Sequence, residues 1–132
     1  MIGVDTNILA RLFVDDDDRQ RELANRFFAD RTPSDPAFVS LVVIAELAWL
    51  LRRTYDYPHQ AILEAVMALL DSADFAVEAR DIVLAAVDTA GAHRFGLADV
   101  LIAEIASRAG CAATMTFDKT AAKRIPGMEL LA

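Results

Sequence analysis

The apolar positions of this chain change period several times, and each change predicts an element. Ile2 to Asp5 is a short apolar run ending on an acid, read as a strand. Thr6-Asn7 can then cap a helix through Phe13. Asp15 to Asp18 opens an amphipathic helix to about Asp30, with Leu23, Ala24, Phe27 and Phe28 at helical spacing on its apolar face. Thr32-Pro33-Ser34-Asp35-Pro36 is a turn, Ala37 to Ser40 a short strand, and Leu41 to Arg53 a helix. Pro58 starts another helix, with Ile62, Val66, Leu69 and Leu70 facing inward. Phe75 to Val77 is a strand, and Arg80 to His93 a helix ended by a turn at Phe95-Gly96. Leu97 to Ala109 is helical, with Gly110 as its stop. Ala112 to Phe117 is a strand, Asp118 to Lys123 a helical turn, and Met128 to Leu131 an edge strand. Strands alternating with helices predict an α/β fold, a central, largely parallel sheet flanked by helices. No repeat or low-complexity linker interrupts it, so residues 1–132 are read as one domain.

One residue breaks the pattern. Glu46 is the only charge between Leu41 and Leu51, a run apolar enough on every side to predict burial. An unpaired buried carboxylate costs about several kcal/mol, and chains keep one where a cation shares its site. Asp5, Asp99 and Asp118 are likewise set among apolar or small residues. Asp5 and Asp118 end predicted strands, where open α/β sheets bind ligands. Asp99 falls in the first turn of its helix and Glu46 in the second turn of its own. If those helices start on one side of the sheet, the four acids meet in an all-oxygen site suited to Mg²⁺ or Mn²⁺. Acids without candidate His or Cys ligands point to phosphoryl transfer through a metal-activated water and away from zinc hydrolysis. Plainer readings exist for three of them. Asp5 and Asp118 could serve as helix N-caps, and Asp99 could favour the helix dipole.

Composition narrows the class. A hydrophobic fraction of 55% excludes disorder. The net charge of −7 argues against nucleic-acid binding through a broad basic face, but it leaves room for an acidic, metal-loaded nuclease pocket and favours a basic protein partner. The lone Cys111 offers no disulfide, fits a reducing cytoplasm and reads as a small buried residue. The run Leu41–Leu51 is too short to span a membrane, and the N-terminus lacks a signal peptide's pattern, so a cytoplasmic protein is expected. The aspartates at 15–18 read as a solvated helix N-terminus. His59 and His93 read as helix-terminal surface residues, and Trp49 as core or subunit interface.

Five stretches together resemble the PIN-domain family, and within it the VapC-type toxins of bacterial toxin–antitoxin pairs. They are Ile2-Gly3-Val4-Asp5-Thr6-Asn7-Ile8-Leu9, Val43-Ile44-Ala45-Glu46-Leu47, Gly96-Leu97-Ala98-Asp99-Val100-Leu101-Ile102-Ala103, Thr116-Phe117-Asp118-Lys119 and Ile125-Pro126-Gly127-Met128-Glu129, in the family's order across nearly the whole chain. The resemblance implies a single PIN domain in which acids matching Asp5, Glu46, Asp99 and Asp118 hold Mg²⁺ or Mn²⁺. It implies metal-dependent endoribonuclease activity on tRNA or rRNA, a homodimer, and inhibition by a small VapB-like antitoxin whose basic C-terminal segment fills the active groove. Thr6, Asn7 and Thr116 match the polar residues beside the acids and take supporting or water-orienting roles. Many relatives carry a further acid or aromatic soon after Asp118, where this chain reads Lys119-Thr120-Ala121-Ala122, so Asp118 is expected to act through a second metal or through water. Arg11, Arg52, Arg53 and Lys119 are candidates for positioning phosphate, against a plain reading as solvated surface charges.

Other classes fit less well. A phosphoacceptor receiver wants adjacent acids after the first strand, and a haloacid-dehalogenase-like phosphatase wants a second Asp where Asn7 stands. A PIN nuclease outside a toxin pair, or a catalytically silent PIN scaffold that binds a protein, remain as alternatives within the family.

Overall fold

The computed structural model describes residues 1–132, which divide into two compact units, Met1–Arg80 and Asp81–Ala132. In the first unit, β1 (Ile2–Gly3), β2 (Ala37–Val39) and β3 (Phe75–Val77) form a parallel sheet in the order β1-β2-β3. Ile2 registers with Ala37, and Ala37 in turn with Phe75. The crossovers carry α1 (Thr6–Ala10) and α2 (Asp18–Ala29), then α3 (Leu41–Arg53) and α4 (His59–Asp71). Parallel strands need such crossovers. Since all three strands run the same way, their carboxyl ends share one edge. That edge carries Asp5, the start of α3 at Leu41, and Glu78.

The helices form where the pattern predicts, and their ends have identifiable causes. Asp17 caps α2 by accepting from Gln20 N at 3.0 Å, and Ser40 caps α3 by accepting from Val43 N at 3.2 Å. Pro58, with its fixed φ, stands at the N-cap of α4. The buried side chains of this unit include Leu9, Val39, Ile44, Leu47, Leu51, Ile62, Val66, Leu69 and Leu70. Leu23 departs from expectation. It is 57% exposed on α2, where the small Ala24 alone is buried.

The second unit holds α5 (Arg80–His93, continuing from the last residue of the first unit), α6 (Leu97–Arg108), β4 (Thr114–Thr116), α7 (Lys119–Arg124) and β5 (Met128–Leu130). β4 and β5 pair in parallel, Thr114 with Met128 and Thr116 with Leu130. The strands therefore make two parallel sheets, where the alternation of elements predicts one. Gly110, at φ 93°, turns the chain after α6, a conformation open to glycine without the Cβ penalty. Cys111 follows that turn and is exposed, against the expected burial, because it sits in the loop and not in the strand behind it.

Candidate active site

Asp5 follows β1 in an extended conformation and is the N-cap of α1; neither Thr6 nor Asn7 holds that place. Its Oδ1 accepts from Ile8 N at 3.0 Å. The second oxygen, Oδ2, takes no hydrogen bond from the chain. Thr6 behind it is buried, and its Oγ1 is sealed from solvent with no partner in the protein. A buried hydroxyl without a partner costs about 1–3 kcal/mol. Asn7 and Ile8 point outward from the same turn.

The expected burial of Glu46 is not observed: the side chain is exposed. Helix α3 buries Val43, Ile44, Leu47, Ala48 and Leu51. Residues three and four apart share a helix face, which places Val42, Glu46 and Trp49 together on the opposite side. Val42 is 68% and Trp49 58% exposed, so Trp49 is no core residue, and the apolar run around Glu46 spills onto the surface. The carboxylate is nevertheless well placed. Asp5, Thr6, Asn7, Glu46, Trp49 and Leu50 line one pocket of about 220 Å³. Asp5 also borders a second pocket of about 420 Å³, walled by Gly3, Val4, Ile8, Leu23, Ala24 and Phe27. Nothing in the residue pattern marks Trp49 and Leu50 as neighbours of the acids.

The two acids of the second unit stand at helix starts. Asp99 is exposed in the first turn of α6, where the N-cap Gly96 supplies no side chain and a negative charge suits the dipole. Asp118 is the N-cap of α7, its Oδ1 accepting from Thr120 N at 2.9 Å and Ala121 N at 3.0 Å. Thr116 Oγ1 accepts from Asp118 N at 3.0 Å and so fixes the turn in front of the acid. The plain capping reading is thus realised for both Asp5 and Asp118. Each cap uses a single carboxylate oxygen, which leaves the other for chemistry.

The proposed phosphate-positioning cations separate into two kinds. Arg11 is buried and ion-paired with Asp16, and its Nε has no partner. It braces the turn after α1 and does not face solvent, which removes it from the surface set. Arg52 and Arg53 are exposed in the last turn of α3, where positive charge suits the helix C-terminus, and Lys119 is exposed at the start of α7. Asp16 also accepts from Tyr55 Oη at 2.6 Å. The Tyr55 hydroxyl first, and then the Arg11 guanidinium, hold the Asp16 carboxyl below its ordinary range. Glu78, an acid at the carboxyl edge that the sequence pattern did not single out, accepts from Leu41 N at 2.8 Å and serves the start of α3.

Two carboxylates, a hydroxyl residue and an amide line the pocket with Trp49 and Leu50, and no His or Cys lines it. No three His, Cys, Asp or Glu side chains lie close enough together to enclose a metal ion unaided. Two carboxylates with a neighbouring unpartnered hydroxyl fit Mg²⁺ or Mn²⁺, which bind through one or two carboxylates and keep several waters. They fit zinc poorly.

The sequence profile of the PIN domain matches residues 2–127, nearly the full chain. PIN domains are typically nucleases, and they generally depend on divalent metals. Among curated proteins, none matches the chain. No helix is long and apolar enough to cross a membrane.

Proposed function

The chain belongs to the PIN-domain family, and from that premise we propose that it is a Mg²⁺- or Mn²⁺-dependent endoribonuclease acting as the toxin of a VapBC-type pair. The observation that carries the reading is the single pocket shared by Asp5, Glu46 and the unpartnered Thr6 hydroxyl. A divalent cation, when bound, supplies positive charge at a phosphoryl oxygen and a water of lowered pKa. Asp5, through its uncapped oxygen, and Glu46 are the groups that would hold it. Thr6 and Asn7 orient water beside them. Asp99 and Asp118 complete the acid set of the reaction, and Asp118, with one oxygen committed to its helix, is suited to act through water. A carboxylate accepts the proton of the attacking water as its oxygen bonds to phosphorus and one bridging P–O bond breaks.

The substrate in this reading is tRNA or rRNA. Exposed Arg52, Arg53 and Lys119 position its backbone, and Thr116 supports Asp118. The partner is a VapB-like antitoxin whose basic C-terminal segment meets the acids through charge-assisted hydrogen bonds, and the toxin is a homodimer in the cytoplasm. Induced expression of the wild type and of Asp5→Asn, with RNA cleavage measured in Mg²⁺, Mn²⁺ and chelator, tests both levels. Growth arrest and metal-dependent cleavage by the wild type alone are expected. Cleavage without growth arrest would favour a PIN nuclease outside a toxin pair. Binding of Mn²⁺ absent from calorimetry, together with no cleavage, would favour a silent scaffold.

A further inference from the structure

The most exposed large apolar side chain of the protein stands beside one of its acids. Phe117 is 81% exposed, between β4 and the Asp118 cap of α7. A residue before an N-cap commonly packs on the fourth residue of the helix, but here that residue is Ala122, too small to cover a phenyl ring. Met115, in β4 two residues before Phe117, is also exposed, at 50%. The segment beneath the ring is fixed. Thr116 Oγ1 holds Asp118 N, Asp118 holds two amides of α7, and Leu131 N bonds Thr116 O at 2.9 Å. An aromatic ring is therefore presented to solvent on hydrogen-bonded backbone.

Its surroundings indicate the partner. Within one six-residue helix the chain places Lys119, Lys123 and Arg124, all exposed, although its net charge is −7. Lys119 and Lys123 are four apart and share a face. The ion pairs of this unit go instead to Arg108, which holds Asp81 and Glu104. The nearest acid on the neighbouring strand, Glu129, registers with Met115. An exposed aromatic ring followed by a short helix that carries unpaired cations suits a strand that offers unstacked bases and phosphates together.

Resting on the ribonuclease reading for the choice of RNA, we propose that Phe117 is a stacking platform for a base of single-stranded RNA, while Lys119, Lys123 and Arg124 attract the phosphates of the same strand. The platform reads a base's face and not its edge, so it sets the requirement for unpaired RNA without fixing a sequence.

The test is binding without cleavage. The full chain is titrated in chelator with a single-stranded oligoribonucleotide carrying 2-aminopurine, read by fluorescence anisotropy and by quenching of the base. Phe117→Ala should weaken binding roughly 10-fold and remove the quenching, within the range that loss of one stacked base produces. Phe117→Trp should restore both. The double variant Lys119→Ala/Lys123→Ala should shallow the salt dependence of binding by about 1.4, from roughly 0.7 per cation on single strands. Equal affinities for wild type and Phe117→Ala overturn the proposal, as does no wild-type binding at low salt. A Phe117→Ala variant that changes sedimentation but not RNA affinity also overturns it, and marks a protein contact instead. Wild-type binding that needs Phe117 but yields no cut with Mg²⁺ or Mn²⁺ defeats the nuclease reading and leaves this one standing.

Discussion

The proposed function gives Asp5 a second duty beside its helix cap, and substitution can tell the two apart. Its Oδ1 caps α1 through Ile8 N, while Oδ2 faces no donor of the chain. Replacing a capping Asp with Ala removes about 1 kcal/mol, within a range of roughly 0.5–2. Asn caps about as well as Asp, so Asp5→Asn loses little beyond the charge–dipole contribution, about 0.3–1 kcal/mol. For a domain of this size 1 kcal/mol shifts Tm by roughly 3–5 °C. Thermal denaturation should therefore rank wild type, then Asp5→Asn, then Asp5→Ala. Activity should not follow that ranking. Both variants lose the anionic oxygen, and Mn²⁺-dependent RNA cleavage should fall by on the order of 100-fold or more in each, since even indirect supports of a metal ligand are worth about 10–100-fold. Full cleavage by Asp5→Asn would refute the metal role. A Tm for Asp5→Asn as low as that of Asp5→Ala would refute the capping account.

Three further outcomes follow from the geometry. Glu46→Gln, at an exposed position, should leave stability within about 0.5 kcal/mol of wild type and still depress cleavage, whereas Leu47→Ala, one residue on and fully buried, should cost about 2–5 kcal/mol in urea denaturation; equal stability losses would contradict the assigned faces of α3. Because Tyr55 and Arg11 lower the Asp16 pKa below 3.8 in the folded protein, that carboxylate stabilises the fold above its unfolded value and the contribution is lost as pH falls below about 4 through the folded value. Tyr55→Phe should bring the folded value back toward the ordinary one and reduce the acid-induced drop in urea midpoint; an unchanged acid limb would discount the Tyr55 hydrogen bond. Chelation should abolish cleavage, and Mg²⁺ or Mn²⁺ should restore it where Zn²⁺ does not, since no His or Cys lines the pocket.

Local patterns were legible in the chain, and partner choice was not. Helix α3 has its expected bounds, and α4 starts one residue after Pro58, because their apolar spacing is dense and Ser40 and Pro58 mark their starts. Asp5 at the strand's end was legible as well. A run apolar on every side predicts burial for Glu46 and conceals which face the helix turns inward. The structure covers Val43, Ile44 and Leu47 and leaves Val42 and Trp49 to solvent. Leu23 misled in the same way, since helical spacing states which residues share a face and not whether anything packs on it. The separate pairing of β4 with β5 depends on contacts remote in sequence, which periodicity does not encode. Arg11 looked like any surface arginine until Asp16 and the turn after α1 closed around it.

The contact between Glu78 and Leu41 has a consequence for how the protein folds. Leu41 N opens α3, and the carboxylate that receives it comes from a residue 37 positions later, just past β3. Glu78 N in turn bonds Val39 O at 2.9 Å. Ser40 closes the first turn locally through Val43 N, while the Leu41 amide takes its protein partner from outside that neighbourhood. That protein partner is in place only when β3 lies beside β2, with Glu78 N on Val39 O. The Leu41 amide is accordingly a local reporter of a long-range event: its protection from hydrogen exchange should rise with the docking of β3, after the amides in the middle of α3 are already slow.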